Sequence, residues 1–228
     1  MTITLAFDVY GTLINTHGVV VALEKLVGDK AAEFSRTWRE KQLEYSFRRG
    51  LMQKYENFDV CTRNALDYTS AYLKAPLSQN CKDELMDAYK VLPAFDDVEV
   101  GLALAKKAGF RMFALSNGTA DAVETLLNNA RIRDYFIDVV SVDEVKSYKP
   151  NPDVYSHFLR RAGASGADAW LVSSNPFDVI GAISSGMCAA WIKRSPDAVF
   201  DPWGIEPSLT VNSLSNLAEQ IDQATRKA

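Results

Sequence analysis

From residue 96 onward the chain alternates short apolar runs with helical periodicities, and this rhythm limits the folds open to it. Runs at residues 111–115, 137–142, 169–173 and 188–193 read as strands, and helical patterns at 97–108, 119–130, 152–162, 177–185 and 214–226 accompany them. A strand without polar alternation needs cover on both faces, which helices between successive parallel strands provide. A further apolar run, Ile3 to Phe7, stands apart from the others. Between it and the alternating region, residues 17–92 carry only helical spacing. Val20, Leu23, Leu26 and Val27 mark one apolar stripe, and Phe34, Trp38, Leu43 and Phe47 mark a second. Further helices are expected over 57–74 and 78–90, bounded by Pro76 and Pro93.

The expected architecture is therefore α/β: a Rossmann-like, doubly wound parallel sheet built from residues 1–16 and 93–228, with residues 17–92 inserted as a helical cap subdomain. A chain of 228 residues is long enough to bury a full core. The net charge of −4 argues against nucleic acid or an anionic membrane surface as partner. No window approaches the roughly 20 apolar residues of a membrane span, and Met1-Thr2-Ile3-Thr4 lacks the basic start of a signal peptide. Cys61, Cys81 and Cys188 are widely spaced and match no metal or redox motif, as expected of reduced thiols in the cytoplasm.

In open parallel sheets, functional residues collect at the carboxyl ends of the strands. The first strand runs into Phe7-Asp8-Val9-Tyr10-Gly11-Thr12, a carboxylate with a glycine turn close behind. The next loop is Leu115-Ser116-Asn117-Gly118, where a hydroxyl and helix-start N–H groups form an anion cradle. Ser147-Tyr148-Lys149-Pro150-Asn151-Pro152 opens the helix that carries Tyr155, and Ser173-Ser174-Asn175-Pro176-Phe177-Asp178 follows the strand at 169–173. Each loop alone has a plain structural reading: a helix cap, a solvated lysine, an acid complementing a helix dipole. The order Asp, Ser, Lys, Asp, each after its own strand, is more specific.

That series resembles the four motifs of the haloacid dehalogenase superfamily, and over essentially its whole length the chain is similar to the (S)-2-haloacid dehalogenases. The most discriminating match is Trp38-Arg39-x-Lys41-Gln42-Leu43-Glu44-Tyr45 in the helical insertion, which phosphatases of the superfamily do not share. The resemblance implies conversion of (S)-2-haloalkanoic acids to (R)-2-hydroxyalkanoic acids and halide, through an ester on Asp8, without metal or cofactor and in a homodimer. It implies that Lys149 orients Asp8 and that Asp178 activates water. Arg39 and Asn117 would take the departing halide. Ser116 and the backbone N–H groups after Asp8, beginning at Val9, would hold the substrate carboxylate. Thr12, Tyr155, Ser173 and Asn175 match positions that hold Asp8, Lys149 and the water. Tyr10, Leu43 and Phe58 would wall an apolar pocket. Two positions depart from the pattern: Phe177 stands where many relatives have Trp, and Glu40 where a relative has Gln. Both bear on substrate range.

The residues themselves favour carbon over phosphorus. A phosphatase holds a phosphate dianion against a carboxylate, a repulsion that Mg²⁺ offsets. It must also protonate an alkoxide, the task of a second Asp two residues after the first. That position is Tyr10 here, and Asn175-Pro176-Phe177 supplies no extra carboxylate beside Asp178. A halide leaves without a proton, and Lys149 supplies positive charge. The rival readings are a Mg²⁺-dependent small-molecule phosphatase and a catalytically inactive binding relative, the latter disfavoured by the intact set Asp8, Arg39, Lys149 and Asp178. His17 and His157 fall in no motif and are expected to be structural or exposed.

Overall fold

A computed structural model describes residues 2–226. Six strands form its sheet: β1 (Thr4–Phe7), β2 (Arg111–Ser116), β3 (Asp138–Ser141), β4 (Ala169–Ser173), β5 (Cys188–Ile192) and β6 (Leu209–Val211). They are ordered β3-β2-β1-β4-β5-β6, and every neighbouring pair is parallel. All residues of β1 and β4 are buried, which is why neither shows polar alternation. Their register pairs Thr4 with Ala169 and Phe7 with Val172, so both strands end at the same level.

Nine α-helices complete the described residues: α1 (Val20–Val27), α2 (Ala31–Leu51), α3 (Phe58–Tyr72) and α4 (Gln79–Tyr89) between β1 and β2, then α5 (Val98–Lys107), α6 (Ala120–Asn129), α7 (Pro152–Ala162), α8 (Pro176–Ser184) and α9 (Leu217–Thr225). Their starts are written locally. Asn57, Ser78, Thr119 and Asn151 cap α3, α4, α6 and α7 by accepting first-turn N–H bonds, and Pro152 and Pro176 occupy first turns where no N–H is needed. Helix α5 packs with α9 and α7 with α8, the two helical layers of a doubly wound sheet. Strand order reverses between β1 and β4, and the crevice above such a reversal is where these sheets bind ligands.

Two features differ from the expectation. The first is β6, three residues long and preceded by Pro202 and Pro207, too short for any periodicity to register. The second is the face of α2. Phe34 and Trp38 are buried as expected, but Leu43 and Phe47 are only partly so. The buried line passes through Gln42 and Ser46, one and two turns beyond Trp38. A stripe drawn through apolar residues misses it because two of its positions are polar and hydrogen-bonded.

The chain leaves the sheet for α1–α4 and returns through a short paired stem. Asn15 N–H donates to the Pro93 carbonyl (2.8 Å), and Phe95 N–H donates to the Leu13 carbonyl (3.0 Å). The Arg194 guanidinium lies 4.2 Å from the Phe95 ring centroid, donates to the Thr12 carbonyl (2.6 Å) and forms a two-oxygen pair with Asp97 (2.7 and 2.8 Å). Asp97 also accepts the Leu214 N–H at 2.7 Å, tying α5 to the turn before α9. There Gly101 allows α5 to touch that turn: an added Cβ would fall 2.6 Å from the Leu214 Cβ and 2.7 Å from its carbonyl carbon and oxygen. Gly101→Ala is therefore expected to destabilise the protein by about 1–3 kcal/mol, because backbone cannot retreat as a side chain can. An unchanged midpoint in urea unfolding would show that the turn gives way freely.

Candidate active site

Asp8 is the first residue past β1, and its N–H extends the sheet ladder by donating to the Val172 carbonyl (2.9 Å). The loop then closes on itself. The N–H groups of Thr12, Leu13 and Ile14 all converge on the Val9 carbonyl at 3.3, 3.0 and 2.9 Å. Gly11 makes this possible with φ +88°, a conformation that disfavours a side chain. The tight turn brings Thr12 back beneath Asp8, where its hydroxyl donates to Oδ2 (2.8 Å). Asn175, at the start of α8, donates its side-chain N–H to the same oxygen (2.8 Å). The other oxygen, Oδ1, faces Lys149 Nζ at 2.9 Å.

Lys149 reaches a second carboxylate. Its Nζ lies 2.8 Å from Asp178 Oδ2, and the other Asp178 oxygen accepts the Tyr155 hydroxyl at 2.8 Å. Asp8 is 6% exposed, Lys149 1%, and Asp178 and Tyr155 not at all. One ammonium thus stands between two buried carboxylates, leaving one negative charge in excess. Burial alone would lower the Lys149 pKa, but Asp178 and Asp8 outweigh it and hold the ammonium above the ordinary lysine value. Burial, reinforced by the Asp8 charge, pushes Asp178 above the ordinary carboxylate value against the pull of Lys149 and Tyr155. Burial and the neighbouring Asp178 drive the Tyr155 phenol far upward, so it stays a donor. Tyr10 is likewise raised, chiefly by burial, and stays protonated.

Gly181 makes room for this arrangement. A Cβ there would stand 2.5 Å from the Tyr155 hydroxyl and 2.7 Å from the Pro150 Cβ. The remaining residues singled out in the sequence sit at varying removes. Asn117 accepts the Lys149 backbone N–H (3.1 Å), pinning the lysine loop to the end of β2. Ser116, fully buried, accepts the Gly118 N–H (3.1 Å). Ser173 accepts the Asn175 N–H (3.2 Å) and so meets the site through Asn175. Tyr155 bonds to Asp178 and not to Asp8 or Lys149.

The helical insertion contributes Arg39. Its Nη2 donates to the Tyr10 carbonyl (3.1 Å), seating the guanidinium over the Asp8 loop, and its Nη1 donates to Gln42 Oε1 (2.6 Å). The Tyr10 ring packs on Phe58 and Tyr89, with centroids 5.6 and 6.2 Å away. Leu43 is only partly buried. The Phe177 and Phe47 rings pack edge to face with centroids 4.9 Å apart, beside a cavity of about 440 Å³ that Tyr148, Lys149, Pro150 and Trp203 also line. His17 is exposed, and His157 Nε2 lies 3.2 Å from Glu144 Oε2; neither makes a hydrogen bond to Asp8, Lys149 or Asp178. Among the described residues no three His, Cys, Asp or Glu side chains are grouped to hold a metal ion.

Three contributors lie within the matched motifs, but the sequence reading assigns them no role. Ser174 donates its hydroxyl to the Gly11 carbonyl (2.8 Å) and its N–H to Thr12 Oγ1 (2.8 Å), locking the first and last loops together. Tyr148 reaches across to the insertion, donating to the Glu56 carbonyl and lying 3.4 Å from Cys61 Sγ. Gln42 could have been found: it lies within the matched motif, three residues beyond Arg39 and so on the same helix face.

Replacing Lys149 by Met leaves the two carboxylates buried without their cation. We expect a loss of about 3–5 kcal/mol near neutral pH. The remaining pair should then hold one proton with a raised pKa. Such a group stabilises the fold below that pKa and loses its effect as pH rises through it, so the deficit should shrink on acidification. Urea unfolding of Lys149→Met at several pH values tests this; a deficit independent of pH would mean the ammonium is not what compensates the carboxylates.

Residues 4–186 match the family model described as haloacid dehalogenase-like hydrolase. The chain is 36% identical to an (S)-2-haloacid dehalogenase of Pseudomonas sp. (strain YL) over 224 residues, covering 98% of this chain and 96% of that one. It is 38% identical to haloacetate dehalogenase H-2 of Moraxella sp. (strain B), covering 95% and 96%. The L-2-haloacid dehalogenase structure from Xanthobacter autotrophicus superposes with a TM-score of 0.92 at 30% identity, over 98% of this chain and 99% of that one. A structure of the same enzyme with chloropropionic acid covalently bound superposes with a TM-score of 0.91. The chain belongs to the haloacid dehalogenase-like hydrolases, and within them to the (S)-2-haloacid dehalogenase family.

Proposed function

We propose that this enzyme hydrolyses small (S)-2-haloalkanoic acids to (R)-2-hydroxyalkanoic acids and halide through an ester on Asp8. The observation that carries this reading is the Lys149 ammonium, 2.9 Å from Asp8 and 2.8 Å from Asp178, combined with Tyr10 where a phosphatase needs a second carboxylate. The relative that holds chloropropionic acid covalently supports an ester intermediate.

In the first step an Asp8 oxygen attacks C2 from the side opposite the halogen. The new O–C bond forms as the carbon–halogen bond breaks, the electron pair leaves with the halide, and C2 inverts. Thr12, Asn175 and Lys149 fix the carboxylate so that it is aimed before substrate arrives. Arg39 receives the halide together with Asn117, whose carbonyl oxygen is engaged by Lys149 N–H while its amide nitrogen serves the ligand. Ser116 and the N–H groups from Val9 onward hold the substrate carboxylate. Tyr10, Leu43, Phe58 and Phe177 wall the alkyl group and exclude water.

In the second step water attacks the carbonyl carbon of the Asp8 ester. Asp178 takes its proton; a carboxylate with a raised pKa is the stronger base for that task. The tetrahedral carbon then expels the ester oxygen: the bond between the Asp8 carboxyl carbon and that oxygen cleaves. The oxygen stays on C2 as an alkoxide that takes up the proton held by Asp178, and the 2-hydroxy acid departs. Tyr155 orients Asp178, and Ser173 supports Asn175. Helices α1–α4 act as a cap that carries Arg39, and catalysis proceeds without a metal in a cytoplasmic homodimer.

Halide release from (R)- and (S)-2-chloropropionate with EDTA present tests the reading. We expect turnover of the (S) acid alone, unaffected by the chelator and lost by at least about 10³-fold in Asp8→Asn. Phosphate release from p-nitrophenyl phosphate with Mg²⁺, and no halide release, would overturn it in favour of a phosphatase.

A further inference from the structure

Gln42 is 1% exposed in the middle of α2, where a buried primary amide must place every one of its hydrogen-bonding groups. The neighbours decide which way it faces. The Thr62 hydroxyl spends its one hydrogen on the Phe58 carbonyl (2.8 Å), so toward Gln42 it can only accept. Gln42 Nε2 therefore donates to Thr62 Oγ1, at 2.6 Å. This forces the amide oxygen to the opposite side, where it accepts Arg39 Nη1 (2.6 Å) and the Tyr89 hydroxyl (3.4 Å). Thr62 is itself held, since its carbonyl accepts the indole N–H of the buried Trp38 (2.8 Å).

The consequence falls on Arg39. Its guanidinium is secured at two points, the Tyr10 carbonyl in the core and the Gln42 oxygen in the insertion. A guanidinium has five N–H donors in one plane, so two fixed bonds set the direction of the rest. We propose that Gln42 is a positioning residue for halide departure: by presenting only its oxygen to Arg39, it holds the free edge of the guanidinium on the path of the leaving group. The assignment rests on the reading of Arg39 as halide acceptor. An arginine free to swing would stabilise the developing charge less, because orientation would have to be found during the reaction.

The leaving group provides a readout that a role in packing would not move. Chloride concentrates its charge most and departs least readily, so it depends most on a fixed donor; iodide depends least. Single-turnover halide release would be measured for (S)-2-chloro-, 2-bromo- and 2-iodopropionate in Gln42→Met, Thr62→Val and Arg39→Lys. Met keeps the shape of Gln without its polar groups. Thr62→Val removes the acceptor that orients the amide, and serves where Gln42→Met does not fold.

We expect Gln42→Met to slow chloride release by about 10- to 100-fold with KM little changed, the deficit narrowing through bromide to iodide. Thr62→Val should show the same order with smaller losses. Equal losses for all three halogens in both variants, with Arg39→Lys still selective, would overturn the role of Gln42 and leave that of Arg39 intact. Equal losses in Arg39→Lys as well would remove the halide role of Arg39, and that of Gln42 with it.

Discussion

One buried ammonium holds the centre of this molecule together. Lys149 sits between Asp8 and Asp178 at 2.9 and 2.8 Å, on a side chain 1% exposed. Without it, two carboxylates would face each other at that depth with no cation between them. The rest of the site is built to bring these three groups together. The parallel pairing of β1 and β4 ends Asp8 and the α8 loop at one level, and Asn117 ties the lysine loop to β2. Gly181 leaves the space through which Tyr155 reaches Asp178.

The same charge arrangement suits the two carboxylates to the two tasks proposed for them. Asp8 carries three donors on its two oxygens and faces the loop crowned by Arg39, which suits a nucleophile that must be aimed. Asp178 is deeper, shares the lysine, and has its pKa raised by burial, which suits a base. Two carboxylates given different surroundings are suited to different roles. Arg39 enters from the insertion and touches the core at the Tyr10 carbonyl, so the site is complete only where α2 lies on the Asp8 loop.

Much of this was legible in the sequence. The alternation after residue 96 disclosed the parallel sheet, since strands buried on both faces must be continuously apolar. The order of Asp8, Ser116, Lys149 and Asp178 marked the loops that meet at the carboxyl ends. What stayed hidden was of two kinds. Short elements such as β6 carry too few residues for any period to show. Polar residues buried through hydrogen bonds run against apolar patterning, as Gln42 does on α2, where the expected stripe through Leu43 and Phe47 lies only partly inside. Contacts such as Ser174 to Gly11, or Arg194 to Thr12, join residues far apart in the chain, and no local spacing announces them.

The central claim is that the Asp8 carboxylate itself forms the bond to carbon. A single turnover in H₂¹⁸O, with enzyme in excess over (S)-2-chloropropionate, tests it most directly by following where the solvent oxygen goes. If water opens an ester at the Asp8 carbonyl, the first product carries unlabelled oxygen and the label appears in the peptide containing Asp8. Label in the lactate hydroxyl after that first turnover, with Asp8 unlabelled, would mean that water attacks C2 and that Asp8 is not the nucleophile.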